Sequence, residues 1–213
     1  MRRAAHLPAL LFAGLLLLTV GATGGCGGDD GGDATPLQGV VRTPPLEVSA
    51  VALPAVNRDG EETLLSAADG ELLLVYFGYT SCPDVCPTTM TDIKGALADL
   101  PDDLADRVTV AMVTVDPERD TDEVLTDYVT HFFDDPLAFR TTDPEALAEA
   151  ASAFGVQYEV TPHEAGAAYE VSHTAVTYVV DDTGTVVVEW PFGFESADMT
   201  ADLNAIFDRA DAA

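Results

Sequence analysis

Positive charge is scarce in this 213-residue chain. It contains nine lysines and arginines, with Lys94 as the single lysine, against 37 acidic residues, so the formal net charge is −28. Nucleic-acid binding needs a basic footprint, and anionic membrane surfaces attract basic segments. The composition therefore argues against both. So many carboxylates repel one another unless salt screens their charges. The composition therefore indicates a halophilic acidic protein, adapted to a saline environment.

Long apolar runs are also missing, apart from residues 7–20 near the N-terminus. This run follows Arg2 and Arg3 and is shorter than the roughly 20 residues that span a bilayer. A positive start, a short apolar core and small residues before Cys26 are typical of an export signal. We therefore expect residues 1–25 to be a cleaved signal peptide, with an uncleaved membrane anchor as the alternative.

The segment Thr23-Gly24-Gly25-Cys26 is similar to a lipobox, in which the cysteine becomes the lipidated N-terminus. Thr23 departs from that pattern, because leucine is common at its place. Lipidation of Cys26 would make the protein an extracytoplasmic lipoprotein anchored to the cell membrane. Residues 26–45 are rich in Gly, Asp, Thr and Pro, which predicts a flexible tether. Residues 46–213 are long enough for one domain, and show neither an internal repeat nor a second domain.

Cysteine is rare as well, with three in the chain. If Cys26 carries lipid, Cys82 and Cys86 can pair within the chain only with each other. An exported dithiol would ordinarily become a disulfide. A bridge that closes so few residues restrains little of the unfolded chain, so its stabilising value is small. The pair is therefore better explained by chemistry than by stability.

The two cysteines form a Cys-x-x-x-Cys directly after the apolar run 72–77. This order predicts a strand that leads into a helix, and a helix N-terminus stabilises thiolate over thiol. The thiolate is the nucleophile of disulfide exchange and a soft ligand for copper(I) or zinc. Pro87 suits the first helical position, so we expect Cys82 in the preceding loop. Redox chemistry, metal binding or both remain open at this point.

The apolar pattern predicts an α/β chain with a mixed sheet flanked by helices, and an N-terminal β-hairpin. The hairpin turns at residues 57–60 within 47–65. Further strands are predicted at 72–77, 108–115, near Phe139, 175–180 and 185–190. Helices are predicted from Pro87 to about Pro101, after the N-cap Thr121, after the N-cap Asp143, and over 196–210.

Residues 76–87, Tyr-Phe-Gly-Tyr-Thr-Ser-Cys-Pro-Asp-Val-Cys-Pro, resemble the signature of the Sco/SenC family, thioredoxin-like copper proteins of respiratory oxidase assembly. Residues 113–121 and 171–174 are similar to its second and third blocks, in the same order. The resemblance implies a thioredoxin-like fold over residues 46–213, with Cys82, Cys86 and His173 as copper ligands. Ser172 stands where the family usually has an aspartate, which leaves a carboxylate beside the histidine in doubt.

The resemblance implies a copper metallochaperone for the binuclear copper site of cytochrome c oxidase. Its partners would be the copper-bearing oxidase subunit and other copper chaperones. The alternative is a thiol–disulfide oxidoreductase, in which Cys82 and Cys86 reduce the cysteines of that copper site. A peroxiredoxin-like peroxidase is a third hypothesis, which a Cys-x-x-x-Cys with a distal Ser-His-Thr does not suit.

Other polar residues have simpler interpretations. His131 at a helix end favours a capping or packing role, and His163 in an acidic loop is a weak ligand candidate. Asp84 could tune the thiols or serve as an exposed turn residue. Residues 116–120, Asp-Pro-Glu-Arg-Asp, predict an organised turn in which Arg119 pairs with a carboxylate.

Overall fold

The computed structural model describes residues 35–212. The predicted signal peptide, the lipidation of Cys26 and the first part of the tether lie outside the described residues. The strands are β1 Ala52–Ala55, β2 Glu61–Leu64, β3 Leu72–Gly78, β4 Val108–Thr114, β5 Leu137–Phe139, β6 Tyr158–Val160, β7 Val171–His173, β8 Val176–Val180 and β9 Val186–Pro191.

The helices are α1 Val85–Ala98, α2 Asp102–Ala105, α3 Asp122–Phe132, α4 Pro144–Ala153 and α5 Ser196–Asp211. Two of the predicted caps are confirmed: the Thr121 hydroxyl accepts from the N–H of Val124, and the Asp143 carboxylate accepts from that of Glu145. Within residues 35–212, no helix combines the length and the apolar character needed to span a membrane.

Seven strands form one mixed sheet in the order β2-β1-β5-β4-β3-β8-β9. Strands β3, β4 and β5 run parallel, whereas β1 pairs antiparallel with β5, and β8 antiparallel with both β3 and β9. Strands β1 and β2 form the N-terminal hairpin. The predicted mixed sheet with flanking helices is therefore confirmed. A separate two-stranded sheet of β6 and β7 was not predicted.

All seven residues of β3 are buried, because packed layers cover both faces of the central strands. Successive side chains alternate between the two faces. Phe77 and its same-face neighbours pack in the core cluster that includes α4, whereas Tyr76 and its neighbours pack against α1 and α5. The strand therefore carries the following loop, with Cys82, to one end of a rigid sheet.

The chain before β1 packs on the domain. The backbone N–H groups of Gln38 and Gly39 donate to the buried Asp202 carboxylate at 2.6 and 3.0 Å. Val40 exchanges two backbone hydrogen bonds of 2.9 Å with Glu189 of β9. The packed domain thus begins before the boundary predicted at residue 46, and residues 38–40 do not fit the expected flexible tether.

Candidate metal centre

Cys82, Cys86 and His173 come together at the carboxyl end of β3. Their ligand atoms, two Sγ atoms and one imidazole nitrogen, all lie within 4.8 Å of one another. The Nε2 atom of His173 lies 3.6 Å from the Sγ of Cys86. In the part of the chain that the structure describes, no other group of three His, Cys, Asp or Glu side chains is arranged to hold a metal ion.

Helix α1 begins earlier than the sequence predicted. Its first residue is Val85 and Asp84 is the N-cap, so Pro87 is the third helical residue instead of the first. A proline is tolerated there because the first N–H groups of a helix have no partner within it. Cys86 therefore lies in the first turn of the helix, and Cys82 lies in the preceding loop as predicted.

His173 also differs from its predicted setting. The sequence favoured a place at the start of the strand over 175–180, but that strand begins at Val176 and His173 ends the separate strand β7. Pairing with Tyr158 of β6 fixes the backbone at His173. The short sheet thus brings a distant histidine beside the thiols.

The two thiols differ in their environments. Burial alone would raise the pKa of the half-buried Cys82. Hydrogen bonds to its sulfur from the backbone N–H groups of Cys86 and Asp84 outweigh that effect and lower the pKa below its ordinary value. Burial raises the pKa of Cys86 to about 12. Cys82 is therefore the thiol that more readily becomes a thiolate.

His173 is held as a neutral imidazole. Burial lowers its pKa, although a hydrogen bond to the backbone carbonyl of Thr174 partly opposes this. That bond, 3.1 Å from Nδ1 to a carbonyl oxygen, requires Nδ1 to carry the proton. The lone pair of Nε2 then faces the Cys86 sulfur, as a metal ligand requires. The rings of Tyr76 and Tyr79 contact the imidazole edge to face, each with centroids 5.8 Å apart.

Tyr76 and Gly78 shape the site without having been singled out from the sequence. The Tyr76 hydroxyl lies 3.7 Å from the Cys86 sulfur. A Cβ atom at position 78 would lie 2.7 Å from the Tyr76 ring and 3.1 Å from the Cys86 sulfur. Only glycine leaves room for this approach. A glycine that ends a strand is a signal for such a position.

Asp120 supports the loop that leads to Cys82. Its buried carboxylate accepts hydrogen bonds from the Thr80 N–H at 3.0 Å, the Thr80 hydroxyl at 2.5 Å and the Thr114 hydroxyl at 2.6 Å. Burial raises the pKa of Asp120 despite these donors. Arg119 pairs with Asp116, which confirms the predicted ion pair in this turn. The role of Asp120 was not predicted.

The weaker candidates stay outside the cluster. His131 is exposed near the end of α3, with its ring against Phe132. His163 contacts Glu118 at 3.1 Å and stacks on Tyr169 at 3.7 Å. Ser172 is exposed on β7.

Curated relatives match most of the domain. The chain is 33% identical over 130 residues to the SCO2-like protein of Rickettsia prowazekii, which covers 61% of this chain and 62% of the relative. It is 35% identical to the mitochondrial SCO1 homolog of Homo sapiens, over 54% of this chain and 38% of that protein. The chain thus spans about three fifths of the bacterial relative and less of the human one.

Solved structures match more completely. Apo Sco1 from Thermus thermophilus is 36% identical with a TM-score of 0.70, over 80% of this chain and 97% of that one. ScoI from Bradyrhizobium japonicum with copper bound is 31% identical with a TM-score of 0.61, over 72% and 95%. These similarities confirm the thioredoxin-like fold class. The SCO1/SenC family model matches residues 52–208, a span that holds all three clustered side chains, and the chain therefore belongs to this family.

Proposed function

We propose that this protein binds one copper ion through Cys82, Cys86 and His173 and delivers it to the binuclear copper site of cytochrome c oxidase. The convergence of two sulfur atoms and one imidazole nitrogen within 4.8 Å carries the proposal. Two thiolates and an imidazole form a soft ligand set that suits copper(I). Membership of the SCO1/SenC family and the copper-bound ScoI relative support the choice of metal.

The burial of the three ligands suits a cargo metal. Cys86 is buried, whereas Cys82 and His173 are both half-buried. An accepting protein can therefore approach the Cys82 side and replace the ligands one at a time. The neutral His173 needs no deprotonation before it binds, so only the thiols release protons when copper enters.

Copper titration under anaerobic conditions, with a competing chelator, tests the binding step. The reduced protein should take up one equivalent, and His173→Ala should weaken affinity by about 10-fold or more. His131→Ala is the matched control, because this exposed histidine lies outside the cluster. Full affinity in His173→Ala or in Cys86→Ser would contradict the metallochaperone proposal.

Oxidase maturation tests the delivery step. Cells that carry His173→Ala in place of the natural protein should assemble the binuclear copper site of the oxidase subunit more slowly. The His131→Ala strain should behave as the wild type. Equal rates in the two strains would separate copper binding from oxidase assembly and contradict delivery.

A second candidate function is reduction of the oxidase cysteines, and the unequal thiols favour it. Cys82, with its lowered pKa, would attack the target disulfide and release one target thiol, and Cys86 would then attack the Cys82 sulfur of the mixed disulfide and release the second target thiol. Two electrons then pass to the target as the Cys82–Cys86 disulfide forms. The His173→Ala variant separates the two functions, because it lacks a copper ligand but keeps both thiols. If this variant keeps full reductase activity but neither loads copper nor matures the oxidase, reduction alone is not sufficient for oxidase maturation.

We propose in addition that Cys26 is a lipidated N-terminus that anchors the domain outside the cytoplasm. The short apolar run and the lipobox-like segment before Cys26 support this, and both lie outside the described residues. Mass spectrometry of membrane-extracted protein should show the loss of residues 1–25 and added acyl mass. An intact N-terminus, or membrane association unchanged by Cys26→Ser, would contradict the anchor.

A further inference from the structure

The short sheet of β6 and β7 pairs with no other strand in residues 35–212, so each of its strands has an outer edge. Two hydrogen bonds fix its pattern: Thr161 N–H to the Glu170 carbonyl at 2.9 Å, and Thr174 N–H to the Gln157 carbonyl at 2.8 Å. Both pairs belong to the single register that joins β6 to β7. The hydrogen-bonded positions of the sheet follow from these two pairs.

Hydrogen-bonded and non-hydrogen-bonded pairs alternate along an antiparallel ladder. Ser172 therefore bonds Glu159, and the neighbouring Val171 turns its N–H and C=O away from β6. The carbonyl of Tyr169 has the same outward direction, and the Arg119 guanidinium donates to it at 3.4 Å. Among residues 35–212, Val171 makes no backbone hydrogen bond outside its own sheet. One outward donor and one outward acceptor thus remain available at Val171.

A groove of about 540 Å³ adjoins this edge. One wall is the short sheet: residues 169–172, which include Val171, together with Glu159 of β6 and the adjoining Thr161. The other wall is Tyr79, Ser81 and Pro83, the residues that flank Cys82 on its loop, and Arg119 also lines the space. The groove therefore runs between the short sheet, with Val171 on its unpaired β7 edge, and the loop residues that flank Cys82, the more exposed of the two thiols.

We propose that this groove binds an extended, cysteine-bearing segment of the accepting protein, which pairs with the outward backbone groups of Val171 and so presents its own sulfur to Cys82. The inference rests on the proposed function, in which a partner sulfur must reach Cys82. An extended polypeptide supplies the carbonyl and N–H that a free strand edge requires. Backbone pairing sets the position of the partner, and the partner side chains are left to face the groove walls.

Trapping of a peptide on Cys82 tests the groove directly. The probe is acetyl-Val-Thr-Cys-Val-Thr-amide with its cysteine carried as a thiopyridyl disulfide, and the protein is the Cys86→Ser variant, which cannot resolve the adduct. The Cys82 thiolate attacks the peptide sulfur, so the new disulfide forms as the old one breaks and thiopyridine leaves. An adduct with 2-mercaptoethanol serves as the control that lacks a peptide backbone.

Amide hydrogen exchange by NMR is then compared between the two adducts. Exchange at Val171 should slow by about tenfold in the peptide adduct, the effect of one added hydrogen bond. The Ser172 amide, already bonded to Glu159, should change little. Equal exchange at Val171 in both adducts would overturn the proposal, whatever the copper titration gives.

Two proline variants, each in the Cys86→Ser background, provide a second test. Val171→Pro removes the outward N–H at the groove, and Val160→Pro removes the equivalent outward N–H on the opposite edge of the same sheet. Val171→Pro should slow adduct formation with the peptide but not with 2-mercaptoethanol thiopyridyl disulfide, and Val160→Pro should slow neither. Equal slowing of the peptide reaction by both variants would contradict the groove. Copper loading by the two-cysteine protein is measured separately, so a failed groove and a failed metal site are distinguishable.

Discussion

The Sγ atom of Cys82 lies 3.3 Å from the backbone nitrogen of Cys86 and accepts its N–H. The sulfur thus occupies the N-terminus of α1, where the partial positive charge of the helix favours thiolate. The Cys86 side chain points instead into the core beside Tyr76. One short turn therefore holds two thiols of opposite character.

This difference predicts selective alkylation. Treatment of the reduced protein with iodoacetamide at about pH 7.5 should modify Cys82 first, since the thiolate is the reactive form and its pKa is lowered. Cys86, whose pKa is raised to about 12, should react only at strongly alkaline pH or after unfolding. Peptide mapping by mass spectrometry assigns the sites. Faster modification of Cys86 in the folded protein would contradict the assignment of roles.

Asp120 should be needed for both stability and site geometry. Asp120→Ala leaves three donors on Thr80 and Thr114 without their acceptor, which should cost about 2–4 kcal/mol of unfolding free energy. Asp127→Ala on the exposed face of α3 is the control and should change stability by less than about 0.5 kcal/mol. Urea unfolding measures both variants. Similar unfolding free energies for Asp120→Ala and Asp127→Ala would show that the Asp120 carboxylate does not stabilise the fold.

The sequence predicts the main sheet and helices well, because long apolar runs and capping residues mark them. The apolar run at β3 and the caps at Thr121 and Asp143 are examples. It predicts short pieces poorly. Strands β6 and β7 have three residues each, too few to show a periodic pattern, and they form only because they pair with each other. The setting of His173 was misjudged for this reason.

Some residues of the candidate metal centre are likewise predictable from the sequence, and others are not. Cys82, Cys86 and His173 are identifiable because their side chains carry the chemistry and recur in family motifs. Gly78 and Asp120 act through a close approach and a buried hydrogen-bond network, which depend on residues distant in the sequence. The start of α1 was misplaced by two residues, because Pro87 is tolerated at the third helical position as well as the first.

The net charge predicts stabilisation by salt. Two of the nine basic residues are Arg2 and Arg3, so seven remain against 37 acidic residues and the charge after residue 25 is −30. Between about 0.01 and 1 M salt the Debye length falls from about 30 to 3 Å, which weakens repulsion among surface carboxylates. The melting temperature should therefore rise across this range of potassium chloride. A flat or falling melting temperature would contradict adaptation to a saline environment.

The most direct test of the copper site is X-ray absorption spectroscopy of the copper(I)-loaded protein. We expect a copper coordinated by two sulfur atoms, Cys82 Sγ and Cys86 Sγ, and by one imidazole nitrogen from His173. The His173→Ala variant should lose the imidazole scattering and keep both sulfur ligands, and the oxidised protein should bind no copper(I) at this site. A spectrum without two sulfur ligands, or imidazole scattering that persists in His173→Ala, would contradict copper binding by these three side chains.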